Sequence, residues 1–570
     1  MLARRVLVCG IGRISTAKPK EVIEINAKEL ESLRRRVEAG TLEPEDFATI
    51  DAVLESYAYV TQLIDKKSTT LDRLRKLLFG ASTEKTADVL GRAQQSAADD
   101  KPGTAKSAQV AAGESSPVSD SKQPRKGHGR NGAADYPGAK RIRVPHESLQ
   151  PGDACPACLR GTVYEVGTPG VLIRFIGQPP LQATIYELQK LRCNPCGRIF
   201  TAEVPADAGP EKYDATVGSM IGMLKYGNGL PFNRIDGLQE NLEVPLPVST
   251  QWEIVAAAAP KYQPVLEELI RQAAQGEVVY NDDTTVKILE RMGSRAQRQA
   301  LDEADRELND EPQAPARTGL FTSGVVATRG GERIALFFSG NRHAGENLLE
   351  VLRKRAADLP PPIQMCDALS RNRPAELQTI VANCLAHARR QFVDVNERFP
   401  DECRYVLEAF EVVYRNDALA RERQLTAEER LRFHQAESGP TMDRLREWLK
   451  RQIDERLVEP HSALGAAIQY LRKHWEKLTL FLRVAGAPLD NNICERALKK
   501  AILHRKNALF YKTQNGADVG DLHMSLIYTC ELCGANPFDY LTQLQRHADA
   551  VAAAPDRWLP WNYRDALKPA

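Results

Sequence analysis

Apolar positions divide the chain into stretches with different periods. From Ile50 they step alternately by three and four, through Val53, Tyr57, Val60, Ile64, Leu71, Leu74 and Leu78, with Lys67 the one polar member of the series. Four heptads of this kind predict a coiled coil, and Ile23, Leu30, Leu33 and Val37 predict an earlier helix ending near Gly40 and Pro44. A helical hairpin within one chain is the competing reading; either way this part serves association. Strand-like segments follow at Val171–Ile176 and Ala183–Leu188. From Ala215 to about Gln275 the pattern is helical, broken by GNGLPFNR and VPLPVST. There Ser249 or Thr250 is the expected N-cap of the second helix of a helix-turn-helix, although a plain helical bundle fits the pattern as well.

At Glu277 the period changes again. EVVYNDDTTVKIL, TGLFTSGVVA, ERIALFFSG and IQMCD read as successive strands, with a polar surface excursion at about Ser294–Arg317. From NCLAHARRQF to about Arg483 the chain is helical and charged, with Trp448, Trp475, Leu478 and Phe481 as expected core. A last helix is predicted in LDNNICERALKKAILHRKNALFYK, where Asn492 is a good N-cap and Ile493, Ala497, Leu498, Ala501 and Ile502 give the buried face. Two more helices follow around a Gly-Ala-Asn-Pro turn; Cys530 and Cys533 fall inside the first and read as core.

Strands followed by helices, with acids on the first strand, a later strand and a helix, is the layout of a ribonuclease-H-like fold. The expected class is therefore multidomain α+β. Its parts are N-terminal helices and coiled coil (1–90), a basic linker (91–144), a zinc ribbon (145–205), a helical region with a DNA-binding helix-turn-helix (206–275), the first part of the core (276–380), an all-helical insertion (381–488), the last part of the core with C-terminal helices (489–550), and a tail (551–570).

Composition narrows the chemistry. At 570 residues several domains are expected, and a net charge of +2 says nothing of partners, so local clusters must carry that signal. Residues from about Gly91 to Arg143 are rich in Ala, Ser, Gly, Lys and Pro and cannot bury enough apolar surface to offset their ordering entropy. Ser121–Arg143 holds seven Lys/Arg and one Asp, and reads equally as a basic arm for a DNA groove or as a solvated linker. No apolar run approaches the length of a membrane span, and the N-terminal stretch lacks a convincing signal-peptide core, so a cytoplasmic protein is expected. Eleven cysteines include Cys155-x-x-Cys158 and Cys193-x-x-Cys196, two thiolate pairs whose pattern predicts one structural Zn²⁺ in a closed tetrahedral site.

The acids are Asp282 and its neighbour Asp283, Asp367 at the end of a strand, and Glu495 in the first turn of a helix. Taken singly, each Asp is more often a turn or cap residue, and Glu three residues after an Asn N-cap is a capping-box residue. Six Lys/Arg against two Asp/Glu in Leu489–Lys512 give the other reading, a carboxylate held among phosphate-binding cations. Cys384 and His387 form half a zinc site at most, so a packed helix with a basic edge is expected there, with the two as a structural pair.

With these residues in hand the chain resembles the insertion sequence sixty-six family of DDE transposases over most of its length. The resemblance rests on LLFGASTEK, CPAC with CNPC, LPFNR, NDDTTV, NRHAGENL, NCLAHARRQF and DNNICERALKKAILHRKNALF. The family has Asp-Glu-Thr-Pro at the first acid where this chain has Asp282-Asp283-Thr284-Thr285, and more often Asp-Gly-Tyr where it has Asp367-Ala368-Leu369. By position the resemblance assigns Asp282, Asp367 and Glu495 as catalytic ligands of two Mg²⁺ ions, and Arg496, Lys499, Lys500, Arg505 and Lys506 as DNA-phosphate contacts. It implies Mg²⁺-dependent strand cleavage and strand transfer on transposon ends and target DNA, a homo-oligomer joined by the coiled coil, small accessory proteins as partners, and a bacterial, nucleoid-associated setting. The rival classes are a catalytically silent or domesticated zinc-ribbon DNA-binding protein and a ribonuclease-H-like nuclease without strand transfer.

Overall fold

A computed structural model describes residues 148–158, 160–164, 180–192, 199–293, 319–374 and 376–568, together with scattered positions between 32 and 50. The coiled-coil heptads beyond Ile50, the basic linker, the segment Val171–Ile176, Cys193 and Cys196 lie outside the described residues. The chain divides into two compact units, residues 102–180 and the remainder. In the first, an antiparallel bridge between Ala154 and Thr162 and the bond from the Cys155 amide to the Gly161 carbonyl (2.7 Å) close a small knuckle carrying Cys155 and Cys158. In the second, a hairpin of β1 (Lys190–Arg192) and β2 (Ile199–Thr201) brackets residues 193–198 in sequence. The strand expected at Ala183–Leu188 is not formed. Ile185 is 85% exposed there, so alternation of apolar and polar residues without a sheet face to bury them did not make a strand.

The centre of the larger unit is a mixed sheet with five strands among the described residues, in the order β5-β4-β3-β6-β7. These are β3 (Val278–Thr285), β4 (Phe321–Arg329), β5 (Glu332–Gly340), β6 (Ile363–Cys366) and β7 (Ile380–Asn383). β3, β4 and β5 form an antiparallel meander, whereas β6 lies parallel to β3 and β7 parallel to β6. Apolar runs in β4 and β5, buried from Val325 to Ala327 and from Ile334 to Phe337, mark strands covered on both faces.

Among the described residues, the three α-helices that lead directly into the sheet are α1 (Ala215–Gly222), α2 (Phe232–Asn241) and α3 (Val248–Ala274). They are not a body of their own. Ile221, Val255, Tyr262, Val265 and Leu269 share one hydrophobic core with Val279, Val326 and Leu336 of the sheet. α3 opens at Val248 with Pro247 in the cap position, ahead of the Ser249 or Thr250 cap expected from sequence. α4 (Ala344–Leu352) follows β5. Between β7 and the last acid the described elements are all helical: α5 (Leu385–Val395), α6 (Pro400–Glu422), α7 (Ala427–Glu437), α8 (Gly439–Asp454) and α9 (Ala463–Leu478). α5, α6, α8 and α9 close a second core around Phe392, Phe410, Leu445, Leu471 and Phe481, which reaches the sheet through Val278, Ile363, Met365 and Ala382.

The chain then returns to the sheet through α10 (Asn492–Ala508), α11 (Gln514–Cys533) and α12 (Pro537–Arg546). α11 covers β5, an edge strand whose outward amides need partners. Asp521, Ser525 and Thr529, one turn apart on α11, accept from the amides of Ser339 (2.5 Å), Phe337 (3.0 Å) and Ala335 (3.1 Å). The match of a four-residue helical step to a two-residue strand step seals the edge without another strand. Cys530 is fully buried on this helix and the Cys533 thiol donates to the Arg333 carbonyl, so both are packing residues, as expected.

Candidate active site

The three acids come from three elements that meet at one end of the sheet. Asp282 lies on β3 opposite Gly324 of β4, and Asp367 is the first residue past β6, the strand parallel to β3. Glu495 is in the first turn of α10, which packs across β3 and β4. Gly324 makes this approach feasible. A Cβ there would sit 3.1 Å from the Leu498 side chain and 3.3 Å from Cys494 Sγ, so even alanine would require these α10 side chains to give by a few tenths of an ångström.

Asn372 joins the first two acids. Its Nδ2 donates to Asp367 Oδ1 at 2.5 Å and lies 3.5 Å from Asp282 Oδ1. The Asn372 carbonyl accepts from Asn281 Nδ2 and Gln364 Nε2, each at 2.7 Å, and Gln364 Nε2 also donates to Asn281 Oδ1 at 2.9 Å. Asn281, Gln364 and Asn372 are fully buried, so this clasp fixes the loop after β6 against β3 beneath the carboxylates. Burial pushes the Asp282 carboxyl up to about 7. The charges of Asp367, Asp283 and Glu495 push the same way, against a hydrogen bond from the Asp283 amide. Asp282 is thus the acid on which the others converge.

Asp283 faces away from this point, as alternation along a strand requires. Its Oδ2 lies 2.9 Å from His343 Nδ1 and its Oδ1 3.4 Å from Arg371, and its side chain is 2% exposed. Gly345, two residues after His343 in the NRHAGENL stretch, lets α4 close on the Asp367 loop. A Cβ at that position would come within 2.6 Å of the Arg371 and Arg373 carbonyls. Asn372, His343 and Arg371 were not singled out from sequence; a lone Asn or Arg in a loop carries no periodic signal, and NRHAGENL was the one hint.

The capping-box reading of Glu495 does not hold. The helix begins one residue earlier than expected, with Asn491 in the cap position, and the Asn492 amide is bonded by Asp490 Oδ1 at 3.1 Å. Glu495 Oε1 is buried without a hydrogen-bond partner and faces His387 Nδ1 at 3.5 Å, also buried and unpartnered. Cys384, in the N-cap position of α5, is fully buried and accepts from the Asn491 amide at 3.2 Å. Asn491 Nδ2 donates in turn to the Asn281 carbonyl at 3.2 Å, linking the starts of α5 and α10 to β3. Cys384 thus packs into the second hydrophobic core, in line with the packed helix expected from sequence, while His387 lies against Glu495.

The five cations of α10 divide by environment. Arg496, Lys499 and Lys506 are exposed. Lys500 Nζ is bound to the Gly227 carbonyl (3.0 Å) and Glu531 (2.8 Å), and Arg505 Nη1 to Thr284 Oγ1 (3.0 Å) and to the Thr285 carbonyl and hydroxyl (2.5 and 2.6 Å). Those two act as struts between α10 and its neighbours. No helix among the described residues is long and apolar enough to cross a membrane.

Comparison with known proteins adds the family. The chain is 27% identical over 443 residues to uncharacterized protein y4hP of Sinorhizobium fredii, covering 73% of this chain and 75% of that protein. It is 26% identical to y4qI of the same organism over 61% of this chain and 62% of that one, and 31% identical to y4jD over 32% and 36%. The model of the family described as Transposase IS66 family matches residues 212–519, which run from just before α1 into α11 and contain the three acids, Asn372 and the Cys384–His387 pair. With more than half of its length matched, the chain belongs to the IS66 transposase family.

Proposed function

We propose that this protein is a DDE-type DNA transposase with a ribonuclease-H-like core, whose third acid is reached only after the helical segment α5–α9. The reading rests above all on one observation: Asn372 contacts both Asp282 and Asp367, while Glu495 adds its charge at Asp282. Crowded carboxylates on rigid elements are costly unless a cation neutralises them, and an all-oxygen donor set suits Mg²⁺. Bound Mg²⁺ would supply the charge that activates an attacking oxygen and stabilises a departing one on a phosphodiester.

The chain's own residues do the rest. Asp282, Asp367 and Glu495 would hold the cations, and the Asn281–Gln364–Asn372 clasp would keep the first two carboxylates in place. The exposed Arg496, Lys499 and Lys506 would bind DNA phosphates along α10, contributing affinity and salt dependence rather than sequence choice. Water would open the element end and leave a 3′-hydroxyl, which then attacks target DNA at the same acids. Cytoplasmic, nucleoid-associated action as an oligomer with accessory proteins belongs to this reading.

The test uses a supercoiled plasmid bearing the repeats that flank the coding sequence. Wild-type protein with Mg²⁺ is expected to produce 3′-hydroxyl nicks at the repeat ends and joined products. Glu495→Gln should abolish both, with DNA binding retained in a gel-shift assay. Undiminished nicking by Glu495→Gln would refute the assignment.

A further inference from the structure

A second donor set lies against the first and differs from it in chemistry. Cys384 Sγ, a ring nitrogen of His387 and a carboxylate oxygen of Glu495 all lie within 4.8 Å of one another. Sulfur, imidazole and one carboxylate form a set for a borderline-soft cation, unlike the oxygen-only set of Asp282 and Asp367.

Two further observations point to a ligand. His387 Nδ1 and Glu495 Oε1 face each other at 3.5 Å outside hydrogen-bond geometry, and neither buried atom has another partner. The sulfur also lies at the N-terminus of an 11-residue helix and accepts the Asn491 amide at 3.2 Å.

We propose that Cys384, His387 and Glu495 form a binding site for one thiophilic divalent cation of the zinc type. Binding would displace the thiol proton of Cys384 to solvent and place thiolate, imidazole and carboxylate around the ion, with a fourth position left for water. Glu495 belongs to both donor sets. Resting on the transposase reading, the site therefore makes zinc an inhibitor of Mg²⁺-dependent cleavage, because a Glu495 committed to Cys384 and His387 is withdrawn from Asp282.

The experiment titrates full-length wild-type protein, Cys384→Ser and His387→Gln with Co²⁺ and Zn²⁺, with folding checked by circular dichroism. Metal held elsewhere is common to the three proteins and cancels. The expected result is one additional equivalent of Zn²⁺ in the wild type, and a thiolate-to-cobalt charge-transfer band that Cys384→Ser lacks. His387→Gln should weaken binding of that equivalent by about 10-fold or more. Equal stoichiometry and equal cobalt spectra in wild type and Cys384→Ser would overturn the site. The inhibitory role is read separately, from nicking at fixed Mg²⁺ with rising Zn²⁺. Half-inhibition should move to at least about 10-fold higher Zn²⁺ in His387→Gln; an unmoved curve would refute that role, while the binding data stand whether or not the protein cleaves DNA.

Discussion

At the residue scale, the neighbours Asp282 and Asp283 carry identical groups in different surroundings. Sequence placed both at a strand end and could not separate them, because a residue's face is set by its partners across the sheet. Asp283 is bound to His343 and Arg371, whereas Asp282 meets Asp367, Asn372 and Glu495. Asp282→Asn should abolish Mg²⁺ binding measured by calorimetry. Asp283→Asn should keep it, at a stability loss of about 1–3 kcal/mol in urea unfolding, since His343 loses a buried charged acceptor. The reverse pattern would reassign the first acid. The placement of the three acids on a first strand, after a later strand and in the first turn of a helix was legible from the order of elements along the chain, and their joint action is the proposal made above. The amides that hold them were not, since Asn281, Gln364 and Asn372 lie far apart in sequence and match no spacing rule.

At the element scale, one buried carboxylate ties the helices between β7 and α10 to the chain that leads into α10. Asp417 on α6 receives Arg430 of α7 (2.7 Å), Arg421 (3.0 Å) and His434 (3.3 Å), and Arg430 also binds the Ala487 carbonyl (2.8 Å) on the approach to α10. Burial alone would raise the Asp417 carboxyl, but the hydrogen bond from His434 and the charges and hydrogen bonds of Arg430 and Arg421 outweigh it and hold the group down at about 2. A folded-state value below the unfolded one gives stability that is present above the ordinary carboxylate range and is lost as pH falls through about 2. Asp417→Asn should therefore cost about 2 kcal/mol at pH 7. The gap to wild type should narrow below about pH 4, followed by the fluorescence of Trp448 and Trp475 in urea titrations. Sequence showed these helices as a charged, amphipathic series with Trp475, Leu478 and Phe481 in the core, as found, whereas Trp448 packs against it half-buried. It could not show which charges are buried, because polar residues on the inner and outer faces of a bundle look alike until the helices pair.

At the scale of the whole larger unit, the acids lie where two hydrophobic cores meet. One core joins α1–α3, α10 and α11 to β3–β5, and the other joins α5, α6, α8 and α9 to β3, β6 and β7, with Tyr280 packed against both. Asp282 and Glu495 belong to elements of the first, and Asp367, Cys384 and His387 to elements of the second. A cation bound across this seam ties the two together, and ligand binding to the folded state stabilises whatever it bridges, by about 2.7 kcal/mol at 100 times the dissociation constant. Hydrogen exchange should show it. Mg²⁺ should slow amide exchange in the Asp367–Arg373 loop, at the end of β3 and in the first turns of α5 and α10, and leave α8 and α12 unchanged. Asp282→Asn should remove that protection. Slowing confined to one core would mean that the cation is held by one side alone, and the carboxylates would then be neighbours without being a shared site.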